Sequence, residues 1–211
     1  MRTARRVLPL ACCTALALIA APGQASPVRP DYVGIVANQS SRGGILPDLI
    51  VLHVTTDPNS PTPPVVRDQP GIKDLERLGA YFDDPRTQVS SHVANDADGN
   101  DARYVADGSK AWTQVAFNSV GLSIEQIGSV AYQRRNWVVN RRPQLDDTAR
   151  WIAHWHRRWG IPIRRAEVSG GIVIRSGVAT HKQLGRAGGN HSDPGPGYPF
   201  AYVLRLARSY V

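Results

Sequence analysis

The chain has 211 residues, 25 basic and 17 acidic side chains, a formal net charge of +8 and 42% hydrophobic residues. Both of its cysteines, Cys12 and Cys13, lie inside an N-terminal apolar run, so the rest of the chain excludes a disulfide framework, a thiolate metal site and a cysteine nucleophile. The positive charge favours anionic polymers, whether carboxylate or phosphate; nucleic acid fits it equally well, but the basic residues are spread along the chain without a dense arm.

Arg2, Arg5 and Arg6 precede the apolar stretch Val7 to Ala21, and Gly23-Gln24-Ala25 follows it. That is the layout of a secretory signal, too short for a comfortable membrane span. Cleavage is expected near Ala25, giving an extracytoplasmic mature chain with no stable membrane insertion; a retained N-terminal anchor is the alternative. Arg5-Arg6 hints at the twin-arginine route, though its flanks match poorly. The cysteines come too early for a lipoprotein box. Loss of three arginines leaves 22 basic against 17 acidic residues.

Residues 26–45 are rich in Pro, Ser, Asn and Gly and are expected to be an arm lying over one domain at 46–211. Ile50 to Val54 is a continuous, mainly β-branched run that predicts a strand buried on both faces. Asp57 to Asp68 carries four prolines and predicts a loop. Ile72, Leu75, Leu78 and Tyr81 or Phe82 recur at helical spacing until Asp84-Pro85. Val89 to Asn95 and Ala102 to Ala106 predict strands joined by turn residues, and Val120 to Ile127 a third, with Glu125 opposite the Leu122 and Ile124 face. A helix is expected from Asp146 to about Trp159, stopped by Gly160-Ile161-Pro162, and a last one from about Pro199 to Ser209. Strands interleaved with helices predict an α/β fold: a single domain with a central mixed β-sheet flanked by helices.

His53 lies mid-strand, where an unpaired imidazole is costly; taken alone it reads equally as a hydrogen-bonded core residue. His181 precedes the glycine-rich stretch Gly185 to Gly189, and Asp193 precedes Pro194-Gly195-Pro196. Two imidazoles and a carboxylate leave a fourth zinc position open, as a catalytic site requires. Such chemistry also needs a carboxylate to handle the proton of the attacking water; Glu125 suits that part, against a plain reading as a solvent-facing strand glutamate. His154 and His156, two apart on a helix, cannot chelate together, and Trp151, Trp155 and Trp159 fit helix packing.

Several ordered pieces carry a resemblance. They are Ile50-Val51-Leu52-His53, Ser90-Ser91-His92-Val93, Ala111-Trp112, Asn118-Ser119-Val120-Gly121-Leu122-Ser123-Ile124-Glu125, His181, and His191-Ser192-Asp193-Pro194-Gly195-Pro196. Together they resemble the zinc-dependent N-acetylmuramoyl-L-alanine amidases of the type-2 class, related to phage lysozyme-type amidases and animal peptidoglycan recognition proteins. The resemblance spans roughly residues 46 to 200. It implies zinc bound by His53, His181 and Asp193, Glu125 as acid/base, and a peptidoglycan or muropeptide substrate. His191 stands where relatives commonly have a lysine that steadies an oxyanion; a protonated histidine serves the same end, or His191 competes with Asp193 as a ligand. Thr113 stands where many relatives have histidine. Trp112 is expected beside the substrate, Tyr104 aligns loosely with a tyrosine that assists catalysis in some relatives, and His92 is expected near the site as a buried or supporting residue. The alternative is a non-catalytic peptidoglycan-binding module of the same fold.

Overall fold

The computed structural model describes residues 28–56 and 71–211; the expected signal at 1–25 and the proline-rich loop at 57–68 lie outside the described residues. In chain order the strands and helices are β1 (Tyr32–Val33), β2 (Gln39–Ser41), β3 (Leu49–Thr56), α1 (Lys73–Asp83), β4 (Val93–Asn95), β5 (Asp101–Arg103), β6 (Ser109–Ala111), β7 (Gly121–Ser129), α2 (Arg142–Trp159), β8 (Glu167–Ser169), β9 (Ile172–Arg175), β10 (Gly177–Thr180) and α3 (Phe200–Arg208). Six strands form one mixed sheet in the order β1-β5-β4-β7-β3-β10. Its centre is parallel: β4 with β7, β7 with β3, and β3 with β10.

Because side chains alternate across a strand, β3 and β7 feed two cores. Ile50, Leu52, Val54, Leu122 and Ile124 pack against α2 and α3, where Trp151, Trp155, Val203 and Ala207 are buried. On the other face α1 supplies Leu75, Leu78 and Phe82 at one end. Phe117 and Leu184 cover Leu49, Val51 and Ala179 at the other. Between those two clusters the same face carries His53, Ser123 and Glu125. The expected packing role of the α2 tryptophans is therefore observed: Trp151 and Trp155 are fully buried and Trp159 is half-buried against the same core.

Three expectations need correction. The 26–45 segment is woven into the fold: β1 extends the sheet beside β5, and β2 pairs with β6. The strand expected from Val89 is confined to Val93–Asn95, because Ser90 and Ser91 bond through their hydroxyls, Ser90 Oγ to the Asn38 carbonyl and Ser91 Oγ to the Ser123 carbonyl. Helix α2 starts four residues before Asp146, with Pro143 in its first turn where a missing N–H costs nothing. Residues 172–180 form two strands, β9 and β10, and Ile172 and Ile174 face solvent.

Arg42 ties the N-terminal segment to the start of β7. The guanidinium is buried and donates to the carbonyls of Asp107 (2.9 Å), Ser119 (2.6 Å) and Gly121 (2.8 Å), and to His92 Nε2 (2.8 Å). Burial pulls its pKa down to about 10, partly offset by the charge of Asp107, so it stays charged at neutral pH. Arg42→Ala would leave several buried carbonyls unpaired, each worth roughly 1–3 kcal/mol. The expected loss is about 3 kcal/mol of unfolding free energy, read from a urea midpoint; a loss below about 1 kcal/mol would show that the segment is dispensable.

Candidate metal and catalytic site

The register of three adjacent parallel strands builds the site. His53 on β3 lies opposite Glu125 on β7, so both side chains leave the sheet on one face. Thr180, the last residue of β10, lies opposite Leu52; His181 therefore arrives at the level of His53. The chain then turns through a 3-10 segment, His181–Gly188, opened by a reciprocal cap between Thr180 and Gln183. It returns Asp193 to the same point, fixed by a bond from Lys182 N–H to the Asp193 carbonyl (2.9 Å) and preceding a cis bond to Pro194.

Second contacts fix how each imidazole faces. His181 Nε2–H donates to the Gly188 carbonyl at 2.8 Å, which leaves Nδ1 as a lone pair. His53 Nε2 faces the Gln114 side-chain oxygen at 3.4 Å, an acceptor that assigns the proton to Nε2 and again frees Nδ1. The two Nδ1 atoms lie 3.0 Å apart. Asp193 Oδ1 is 3.0 Å from His181 Nδ1, and Oδ2 is 3.5 Å from His53 Nδ1. Val54 N–H donates to Oδ2 at 3.2 Å, whereas Oδ1 is buried with no hydrogen-bond donor.

Electron-rich atoms facing one another in a buried site call for a cation. Ligand atoms of His53, His181 and Asp193 all lie within 4.8 Å of one another, and the three residues are buried. Nitrogen and carboxylate donors with a fourth direction left open suit zinc. The electrostatics agree. Burial, and then His181, lowers the His53 pKa to about 4, keeping the ring neutral and able to bind metal. Burial alone would raise the Asp193 carboxyl, but the two histidines outweigh it and hold the pKa well below the usual range.

Glu125 is half-buried. Burial, then the charge of Asp193, pushes its carboxyl well above the ordinary carboxylate range, the direction in which a carboxyl is tuned where it exchanges protons. His191 is stacked on His181, with ring centroids 4.0 Å apart and planes 18° from parallel, and its Nδ1 is 3.9 Å from Asp193 Oδ1. It therefore flanks the His53, His181 and Asp193 cluster.

Of the outer residues, Trp112 is half-buried, its indole N–H donating to Ser40 Oγ at 2.9 Å, and it lies two residues from Gln114. Tyr104 departs from the expected substrate contact. It is fully buried against Leu75, Phe82 and Ala102, and its hydroxyl donates to the Leu75 carbonyl at 2.7 Å. His92, expected as a buried or supporting residue, is fully buried, with ring nitrogens 2.9 Å from Ser123 Oγ and 2.8 Å from Arg42. Burial, then Arg42, lowers its pKa to about 3, so it is a neutral frame residue. His154 and His156 are half-buried, and His156 Nδ1 lies 2.9 Å from the Ile161 carbonyl.

Gln114 escaped the sequence reading. It sits two residues beyond Trp112 and carries no signal of its own. Its amide nitrogen donates to the Phe117 carbonyl at 3.2 Å and fills space that only Gly121 leaves free, since a Cβ there would lie 1.4 Å from Gln114 Nε2. The glycine in the Val120-Gly121-Leu122 motif is thus required by His53's orienting partner.

In the metal-free protein the His53 ring is expected to titrate near pH 4 and to show no midpoint near the ordinary ~6.5. Because its folded pKa is lowered, its stabilising contribution is full above about 6.5 and is lost as pH falls through about 4. NMR titration of the imidazole carbon protons checks this, and a midpoint near 6.5 would contradict the buried geometry.

Comparison with known proteins agrees with this architecture. A family model described as N-acetylmuramoyl-L-alanine amidase matches residues 43–196. Among solved structures the chain is similar to the Staphylococcus aureus hydrolase AmiA in complex with its ligand, at 17% identity over 88% of this chain and 83% of that one, with a TM-score of 0.63. It is also similar to a selenomethionine derivative of AmpD, at 17% identity over 89% and 97% of the two chains and a TM-score of 0.55. The endolysin LysCS from Clostridium intestinale URNW, an N-acetylmuramoyl-L-alanine amidase, gives 13% identity over 85% and 97% and a TM-score of 0.52. No curated protein sequence matches the chain.

Proposed function

The chain belongs to the N-acetylmuramoyl-L-alanine amidase family, enzymes that hydrolyse the amide between the sugar and the stem peptide of peptidoglycan, and from that premise we propose that its hydrolysis depends on zinc held by His53, His181 and Asp193, with Glu125 as acid/base. The observation that carries this reading is the convergence of two Nδ1 lone pairs and the donorless Asp193 Oδ1 within a buried 3.0 Å cluster beside Glu125.

A zinc ion in that position supplies a Lewis acid, which acidifies water and polarises a carbonyl oxygen. The remaining work falls to the protein. Glu125 accepts the proton of the water that attacks the lactyl carbonyl, then delivers it to the departing L-alanine nitrogen; its raised pKa suits both transfers. His191, protonated, steadies negative charge developing on the carbonyl oxygen. Gln114 and the Gly188 carbonyl keep both ligand rings turned inward. The partly exposed Trp112, tied to Ser40, offers an apolar wall for the substrate.

Glu125→Gln is expected to retain zinc but lose roughly 10²–10⁴-fold in kcat, measured as stem-peptide release from purified peptidoglycan with glycan strands left intact. A chelator should abolish release in the wild type. Near-normal turnover by a zinc-loaded Glu125→Gln protein would remove this residue from the mechanism, and zinc-free protein with unimpaired wall binding would favour the non-catalytic module.

No helix among the described residues is long and apolar enough to cross a membrane. We further propose that residues 1–25 are a cleaved secretory signal and that the enzyme acts extracytoplasmically. N-terminal sequencing of protein recovered outside the producing cell is expected to begin within a few residues of Ser26; an intact Met1 terminus would reverse this.

A further inference from the structure

The charge of this chain is divided between its two parts. Residues 26–130 contain 8 basic and 13 acidic side chains, whereas residues 131–211 contain 14 basic and 4 acidic. The two populations meet along α2, where Trp151 Nε1–H donates to Asp101 and His154 faces Asp107, and they occupy different ends of the sheet beyond it. Strands β1, β5 and β4 occupy one edge of the sheet with α1. Strand β10 forms the opposite edge, and α2 and α3 cover the adjoining face.

On the basic side Arg150 and Arg175 pair with Asp147 and Glu167, but six other arginines are held mainly by neutral partners. Arg165 lies 4.1 Å over the Phe200 ring and donates to the Gln183 side chain. Arg142 and Arg205 lie 5.4 and 5.7 Å from the centre of the Tyr202 ring. Arg208 donates to the Ile163 carbonyl, Arg164 to the Ser176 carbonyl and Arg157 to the Tyr210 carbonyl. Of these six, only Arg142 has a carboxylate within ion-pair distance among the described residues, Asp146 at 3.5 Å. For the other five, aromatic, amide and carbonyl contacts fix where the guanidinium points without neutralising it. Residues 164–166 bond along the free edge of β10, so the charged surface is continuous from α3 to that edge. It reaches the exposed Lys182, which directly follows His181.

We propose that this arginine face docks a linear phosphate-bearing polyanion of the cell wall. The span from Arg142 to Arg157 along α2 alone is about 22 Å, more than the few carboxylates of one stem peptide would neutralise. A polymer with a charge on every repeat matches it, and contact would hold the enzyme on the wall with Lys182 and the catalytic cluster at the border of the docked strand. The inference rests on the extracytoplasmic location proposed above only for where the polymer is met; its test uses purified components and so fails or succeeds separately.

The test measures binding of the full chain to inorganic polyphosphate over a series of salt concentrations, and co-sedimentation with purified walls before and after removal of their phosphodiester polymers. Arg165→Gln/Arg205→Gln is compared with Lys73→Gln/Arg86→Gln, which removes the same charge from the other side. The first pair is expected to weaken polyphosphate binding at least tenfold and to reduce the slope of log affinity against log salt by about 1–2; the second should change affinity less than twofold. Turnover of a soluble muropeptide should be unchanged in both, which separates a docking defect from misfolding or lost chemistry. Stripped walls should retain far less protein. Equal losses in the two pairs would mean that only net charge matters, undiminished binding to stripped walls would assign the face to peptidoglycan itself, and tighter binding of duplex DNA than of polyphosphate would make the partner a nucleic acid; each overturns the proposal.

Discussion

The structure depends on the parallel register of β7, β3 and β10. Neighbouring strands about 4.8 Å apart present Glu125, His53 and His181 at one level, and a slip of one residue in β3 would turn His53 into the hydrophobic face and Val54 into the site. The register is held from both sides. Leu49, Val51, Ile50 and Leu52 are buried in the flanking cores. Gln126, facing away from Glu125 on β7, donates to the His53 carbonyl and accepts from Tyr198 and Thr148.

That rigidity has an electrostatic purpose. The site places a carboxylate depressed by its two histidines, Asp193, near one raised by burial and by the charge of Asp193, Glu125. Two carboxyl groups whose surroundings drive them apart in this way suit the divided labour proposed for them, one as an anion beside a cation and the other as a proton carrier. The division needs low-dielectric surroundings and fixed distances, which the two hydrophobic clusters and the Gly188 and Gln114 contacts supply.

Support for the site also comes from outside the matched family segment. Arg42 lies one residue before the first residue matched, at 43, yet its guanidinium joins Asp107, Ser119, Gly121 and His92, and His92 in turn touches Ser123, two residues before Glu125. A segment that reads as a loose arm is therefore part of the frame beside Glu125.

The sequence by itself determined the strand of β-branched residues around His53, the amphipathic helices, the stop at Gly160 and the set of His, Asp and Glu residues able to do hydrolytic chemistry, because periodicity and residue type are local properties. The bond attacked came from the ordered motifs together. Tertiary structure decided what depends on contacts between distant residues. Tyr104 and His92 look like polar candidates along the chain, but each is buried with its polar atoms engaged. Gln114 looks ordinary until Gly121 makes room for it against His53. The tautomers of both ligand histidines are set by Gln114 and the Gly188 carbonyl, and His191 takes its place beside His181 by ring stacking. The division of charge into two faces likewise required the sheet order, since a charge skew between two parts of a chain becomes a pair of faces only once those parts fold to different ends of the sheet.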